Sequence, residues 1–285
     1  MKKSTSFFLI FILFFISFSL QAQIKGNADY LVKYEVNFAI DSTDREERTT
    51  EMHHLYTGNA VSYYVSEVQL KMDSLFSKFQ GMSPEQMRSR SGDFEDLPRP
   101  EFLARVYKNF EAQKAMVKVR ILREGYIYEE EKFPVEWEIT EESKEIGEYT
   151  AQKALTSFGG RNYEAWFTLE VPIQDGPYVF SGLPGLILEL SDADNDFKFS
   201  VSSFKALQEK VEIDIEEKDF KTVEKKKFVK AFQNFRENPL GPFTETVRNM
   251  DQIPDPTTGD MISGPELIRK VKKEAKKRNN YIERF

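Results

Sequence analysis

The chain has 285 residues, no cysteine, two histidines, 25 phenylalanines and a formal charge of −7. Without cysteine, disulfides and thiolate chemistry are excluded, and the fold must stand on its apolar core. The acidic balance argues against nucleic-acid binding, which wants a basic face.

The N-terminus reads as an address. Lys2 and Lys3 precede an apolar run from Phe7 to Phe18, broken only by Ser17, and Ala22 suits a cleavage point. This layout predicts a secretory signal peptide over residues 1–22. The run is shorter than the about 20 residues a spanning helix needs, and the competing reading is an uncleaved anchor. No cysteine follows it, so a lipoprotein anchor is excluded. No later segment is long and apolar enough to cross a membrane. The expected location is the periplasm or the cell exterior. Losing Lys2 and Lys3 takes the formal charge from −7 to −9.

Residues 23–285 read as a single β-rich domain. From Gln23 to Ile40 the residues alternate: Ala28, Tyr30, Val32, Tyr34, Val36, Phe38 and Ile40 share one face of a long strand. Thr49–Tyr56 and Ala60–Val65 follow as strands, joined by a turn at Gly58-Asn59. Residues 66–113 change character and predict a helical insertion. Met72, Leu75, Phe76 and Phe79 have helical spacing, Ser83-Pro84-Glu85-Gln86 resembles a capped helix start, and Phe102–Phe110 suits a short helix.

Strand signals return at Met116–Leu122, Tyr126–Trp137, Ile146–Ser157, Tyr163–Ile173, Tyr178–Phe180, Leu186–Leu190, Phe197–Phe204 and Val211–Ile215. The short gaps between them favour antiparallel pairing over βαβ crossovers. From about residue 220 to 285 the chain is helical and charged, with Phe220–Glu237 and Pro265–Asn279 as helices. Pro265–Phe285 holds eight Lys/Arg against three Glu, the pattern of a solvated helix face. The expected class is mainly β (α+β). The sheet is curved and antiparallel, of about eight or more strands, or a half-barrel analogous to periplasmic lipoprotein carriers, with a helical insertion and C-terminal helices.

The run Gly176–Leu190 packs two Gly/Pro turns and an apolar strand into one segment. Pro184-Gly185 suits a type II turn, in which Gly takes the positive φ. Gly176, Pro177, Gly182, Pro184 and Gly185 are therefore structural. Together with Trp137, Gly160-Arg161, Ala165-Trp166-Phe167-Thr168, Pro172-Ile173 and Leu186-Ile187, this run resembles the GLPGLI family of exported Bacteroidetes proteins. The resemblance covers about Trp137 to Leu190, with weaker echoes in the opening strand and in Asn280–Glu283. Relatives often carry Cys before Gln-Lys-Ala, where this chain has Ala151, so thiol chemistry is absent. The resemblance implies export but no activity.

Trp137, Arg161 and Trp166 are the candidate ligand-binding residues. Trp166 falls on the polar face of its strand, where it can line a groove. The alternative is a second core layer with Arg161 stacked on it. No catalytic residue, metal site or cofactor is assigned. Glu51 and His53 share a strand face, but no further histidine completes a metal site. Asp192, Asp194 and Asp196 alternate like calcium-loop oxygens but read as a solvated turn. The leading expectation is a non-catalytic envelope protein that binds a lipid, a peptide or an outer-membrane partner in an apolar groove. A carboxylate- or metal-dependent hydrolase using Glu51, His53 and the Asp192 loop is one alternative. A structural subunit of an outer-membrane complex is the other.

Overall fold

The computed structural model of the chain describes residues 24–83, 85–86, 100–131 and 133–284. The expected signal peptide lies outside them, as does most of the helix expected from Ser83. At that helix's start, Gln86 N–H donates to Ser83 Oγ (3.3 Å) and Ser83 N–H donates to Gln86 Oε1 (2.9 Å), a reciprocal cap.

The fold is mostly β, built on one large, curved, unclosed sheet. Its strands are β1 (Lys25–Ala39), β2 (Arg48–Thr57), β3 (Val61–Ser66), β4 (Arg105–Asn109), β5 (Lys114–Ile121) and β6 (Glu124–Glu129). They continue with β7 (Glu138–Ile146), β8 (Tyr149–Phe158), β9 (Arg161–Thr168), β10 (Leu186–Asp192), β11 (Phe197–Asp214) and β12 (Phe220–Thr222). Their order across the sheet is β12-β6-β5-β4-β3-β2-β1-β11-β10-β9-β8-β7. Neighbours are antiparallel except β12, which runs parallel to β6. The helices are α1 (Glu67–Phe79), α2 (Lys225–Glu237), α3 (Thr244–Arg248) and α4 (Gly264–Lys277), with a small hairpin, β13 (Ile253–Pro254) and β14 (Met261–Ile262), before α4.

The alternation in β1 sets the inner face. Val32, Tyr34, Val36 and Phe38 are buried there. They meet Phe102 from the segment before β4, Tyr178, Val179, Phe180 and Leu183 from the loop before β10, and Phe228 of α2. Phe102 makes edge contacts with Phe38 (6.3 Å), Tyr178 (5.7 Å) and Phe199 (6.5 Å), the geometry aromatic pairs prefer. Each such ring contributes about 1.5–3 kcal/mol by leaving water. The face of the sheet that carries Val32, Tyr34, Val36 and Phe38 is thus covered by the chain's own aromatics.

Five local expectations differ from the structure. Tyr178–Phe180, expected as a strand, lies in the loop before β10. Residues 102–110 form no helix. Phe102 plugs the core and β4 joins the sheet, so the insertion between hairpins starts at α1 and ends before residue 105. The C-terminal part opens with strand β12 before its helices. β7 has no strand signal because it lies at the sheet's free edge, where both its faces are largely exposed. Its charges discourage pairing with another chain. β11 is one strand of 18 residues, and a register shift against β1 near Ala28–Tyr30 masks its continuity.

Candidate functional site

The loop between β9 and β10 is held from beneath by a buried charge. Lys108 of β4 points inward, and its ammonium donates to Asp175 Oδ1 and to the Gly176 carbonyl (2.8 Å). Both side chains are fully buried. Burial pulls the Lys108 ammonium below its ordinary pKa, while Asp175 draws it back up. Asp175 Oδ1 also accepts from Gly176 N–H (2.8 Å), so one carboxylate fixes both cation and turn. Tyr34 OH of β1 donates to Ile187 O (2.7 Å).

The glycines of this loop serve close approach. A Cβ on Gly176 would stand 2.6 Å from Ile187 Cδ1, and one on Gly185 would stand 1.9 Å from the Thr168 carbonyl oxygen. Gly185 is not left-handed, so Pro184-Gly185 is not the expected type II turn. Gly182, with φ +94°, carries the left-handed conformation instead.

So anchored, the loop forms one wall of a cleft of about 310 Å³. Pro172, Ile173, Gln174, Ser181 and Gly182 come from the loop, and the β2–β3 turn supplies Thr57, Gly58 and Asn59. Phe110 and Gln113 come from the β4–β5 turn, and Tyr30 and Phe133 complete the aromatic lining. Asn59, Gln113 and Gln174 are exposed at the rim, whereas Thr57 and Ser181 are buried. The hydroxyls of Thr57 and Ser181 have no hydrogen-bond partner among the described residues. Such groups carry a desolvation cost of about 1–3 kcal/mol each. Among the described residues, no acidic or basic side chain lines the cleft.

The three candidates from the sequence are not brought together. Trp137 stands beside the cleft, where its indole N–H donates to Ser181 O (2.8 Å) and its ring packs 6.1 Å from Phe180. Trp166 projects from the opposite side of β9 to Ala165 and Phe167. Its N–H donates to Glu164 Oε1 (2.7 Å), and Lys144 Nζ lies 4.3 Å from its ring. Arg161 is buried and stacks on Phe197 (5.0 Å) rather than on Trp166.

Arg161 clasps the C-terminal tail. It donates to Asp192 Oδ2 (2.7 Å), Asp196 Oδ2 (2.9 Å), the Tyr281 carbonyl (2.8 and 3.0 Å) and Asn280 Oδ1. Tyr163 OH donates to Ile282 O (2.8 Å), and Arg284 N–H donates to Gly159 O (2.7 Å). The carboxylates of Asp192, Asp194 and Asp196 lie within 4.8 Å of one another. Arg161, Arg45 and Arg284 face them, three cations for three anions, so the cluster is neutralised by the chain itself.

A second polar cluster ties Glu283 of the tail and Tyr178 to Glu130 and Lys225, which had no sequence signal. Lys225 Nζ lies 2.5 Å from Glu130 Oε2 and 2.6 Å from Glu283 Oε2, and Tyr178 OH donates to Glu283 Oε1 (2.5 Å). Burial pushes the Glu283 carboxyl up against the pull of Lys225. The cleft does not reach this cluster, which locks the tail to α2 and β6.

Glu51 and His53 do meet, with His53 Nε2 3.1 Å from Glu51 Oε2. They lie on β2, three strands from the Asp192 end of β10, about 14 Å across the sheet. The hydrolase set therefore does not converge. Burial lowers the pKa of His53, and burial followed by Lys33 lowers that of His54. Both are neutral in the fold, whereas an unfolded histidine gains its proton near pH 6.5. Their stability contribution is present above about pH 6.5 and is lost as pH falls through that value toward the folded pKa. Urea unfolding at pH 7.5 and 5.5 checks this. The wild type loses up to about 1.4 kcal/mol per pH unit from His53, and His53→Asn removes that part of the slope. Equal slopes would contradict it.

Comparison with known proteins agrees on one segment. A family model described as a protein of unknown function (Porph_ging), a Bacteroidetes-associated family, matches residues 160–189. That span holds Arg161, Asp175, Gly185 and five of the residues lining the cleft. No curated protein matches the chain. Two solved structures of PNGF-II, in P21 and C2 space groups, are similar at 13% and 14% identity with TM-scores of 0.49 and 0.48. The alignments cover 73% and 75% of this chain but only 33% and 34% of those chains. At these values nothing is carried from them to this protein.

Proposed function

We propose that this chain is a GLPGLI-type exported protein that binds a small ligand without catalysis, in the cleft between the β9–β10 loop and the turns after β2 and β4. The leader-like N-terminus supports a place in the cell envelope. The aromatic core that covers the inner face of β1 favours this cleft over the expected apolar groove as the site of the reading. One observation carries the reading: two buried hydroxyls, Thr57 and Ser181, stand without partners at the wall of an open cleft. Buried polar groups are nearly always satisfied, and these two stand where a bound molecule can complete them.

The test follows from the cost of an unsatisfied hydroxyl. Thr57→Val and Ser181→Ala leave the ligand-free protein as stable as the wild type or about 1 kcal/mol more stable. A hydroxyl that served the fold would cost about 1 kcal/mol on removal. Chemical denaturation of both variants at pH 7 decides between the two, and a clear loss of stability would overturn the reading.

A further inference from the structure

If the cleft is a ligand site, as proposed above, its chemistry selects the ligand class. Among the described residues that line it none is acidic or basic, and Asp29, whose carboxylate stands behind Gly58, is already paired with Lys210 (2.9 Å), so they offer an ionic ligand no free counter-charge. The described lining therefore favours uncharged ligands over phosphates, nucleotides and free amino acids. A purely apolar ligand fits no better. It would strip water from the rim amides Asn59, Gln113 and Gln174, which make no side-chain hydrogen bonds among the described residues, and offer nothing in return.

An extended peptide would add to a free backbone edge, and the edges here are taken. Thr57 pairs with Ser62, Gly58 N–H donates to Val61 O (3.0 Å), and Phe110 N–H donates to Ala60 O (2.9 Å). The cleft instead offers side-chain amides and hydroxyls, each both donor and acceptor. They stand beside the aromatic rings of Tyr30, Phe110 and Phe133.

We propose that the cleft binds a neutral saccharide. A sugar ring carries hydroxyls that donate and accept together, matching the amides, and a flank of C–H groups that packs on aromatic surface. The volume of about 310 Å³ lies at the lower end of small-molecule sites, which suits a short unit of a glycan rather than a long polymer.

The full chain is titrated calorimetrically with a panel of neutral oligosaccharides: glucans, mannans, galactans and N-acetylglucosamine oligomers. Glucose 6-phosphate and a neutral hexapeptide serve as comparators. The expected result is saturable one-to-one binding of a neutral saccharide. Gln174→Ala weakens it about tenfold, and Trp166→Ala on the other face leaves it unchanged. No binding across the saccharide panel, or tighter binding of the peptide or the phosphorylated sugar, overturns the saccharide assignment. Those outcomes leave the cleft standing as a ligand site, whereas a loss of stability in Thr57→Val strikes the cleft reading itself.

Discussion

Lys108→Met destabilises the protein by about 3–5 kcal/mol at pH 7, because it leaves Asp175 buried with its charge uncompensated. The pair lies wholly inside, and the cation also holds the Gly176 carbonyl. With total stabilities of about 5–15 kcal/mol, such a loss is visible as a large fall in the urea midpoint. The double variant Lys108→Met/Asp175→Leu recovers most of it, since two apolar side chains of similar size carry no desolvation cost. A single-variant cost below about 1 kcal/mol would mean that the ion pair is not the anchor of the loop. Gln174, next to Asp175, stands at the cleft rim, so the same change also loosens the cleft wall.

Gly185→Ala costs about 3 kcal/mol or more, the upper end of what overpacking a core does. The new methyl would sit 1.9 Å from the Thr168 carbonyl oxygen, a backbone atom of the neighbouring strand that has no rotamer to escape into. The β9–β10 ladder must then part where Leu186 pairs with Thr168. Gly147→Ala is the matched control. Its φ of +61° strains an alanine, but nothing lies within 4 Å of the added carbon, so the cost is about 1–2 kcal/mol. Thermal unfolding of the two variants separates a clash from a strained φ. Equal costs would remove close approach as the reason for Gly185.

The sheet was largely legible because its inner strands alternate. β1 and β9 read cleanly, since one face meets the aromatic core and the other meets water or charge. β7 was not legible, because a free edge with little burial on either face leaves no period of two. β4 was hidden because Phe102, which fills the core from an irregular segment, suggested a helix with its neighbours.

The C-terminal clasp was half visible. Arg161 and the tail Asn280–Glu283 both stood out in the sequence, but only the fold brings them within hydrogen-bond reach. The cleft was not visible at all. Its lining comes from turns far apart in the chain, and no residue in it belongs to a catalytic or metal-binding pattern. A hydroxyl without a partner is a property of the packed state alone.

The most direct measurement is native mass spectrometry of the protein purified from its own cells, beside a Gln174→Trp variant whose indole fills the cleft mouth. The account predicts a small bound mass at one-to-one stoichiometry on the wild type that is missing from the variant. A bare wild-type chain, or a bound mass that the variant keeps, would contradict it.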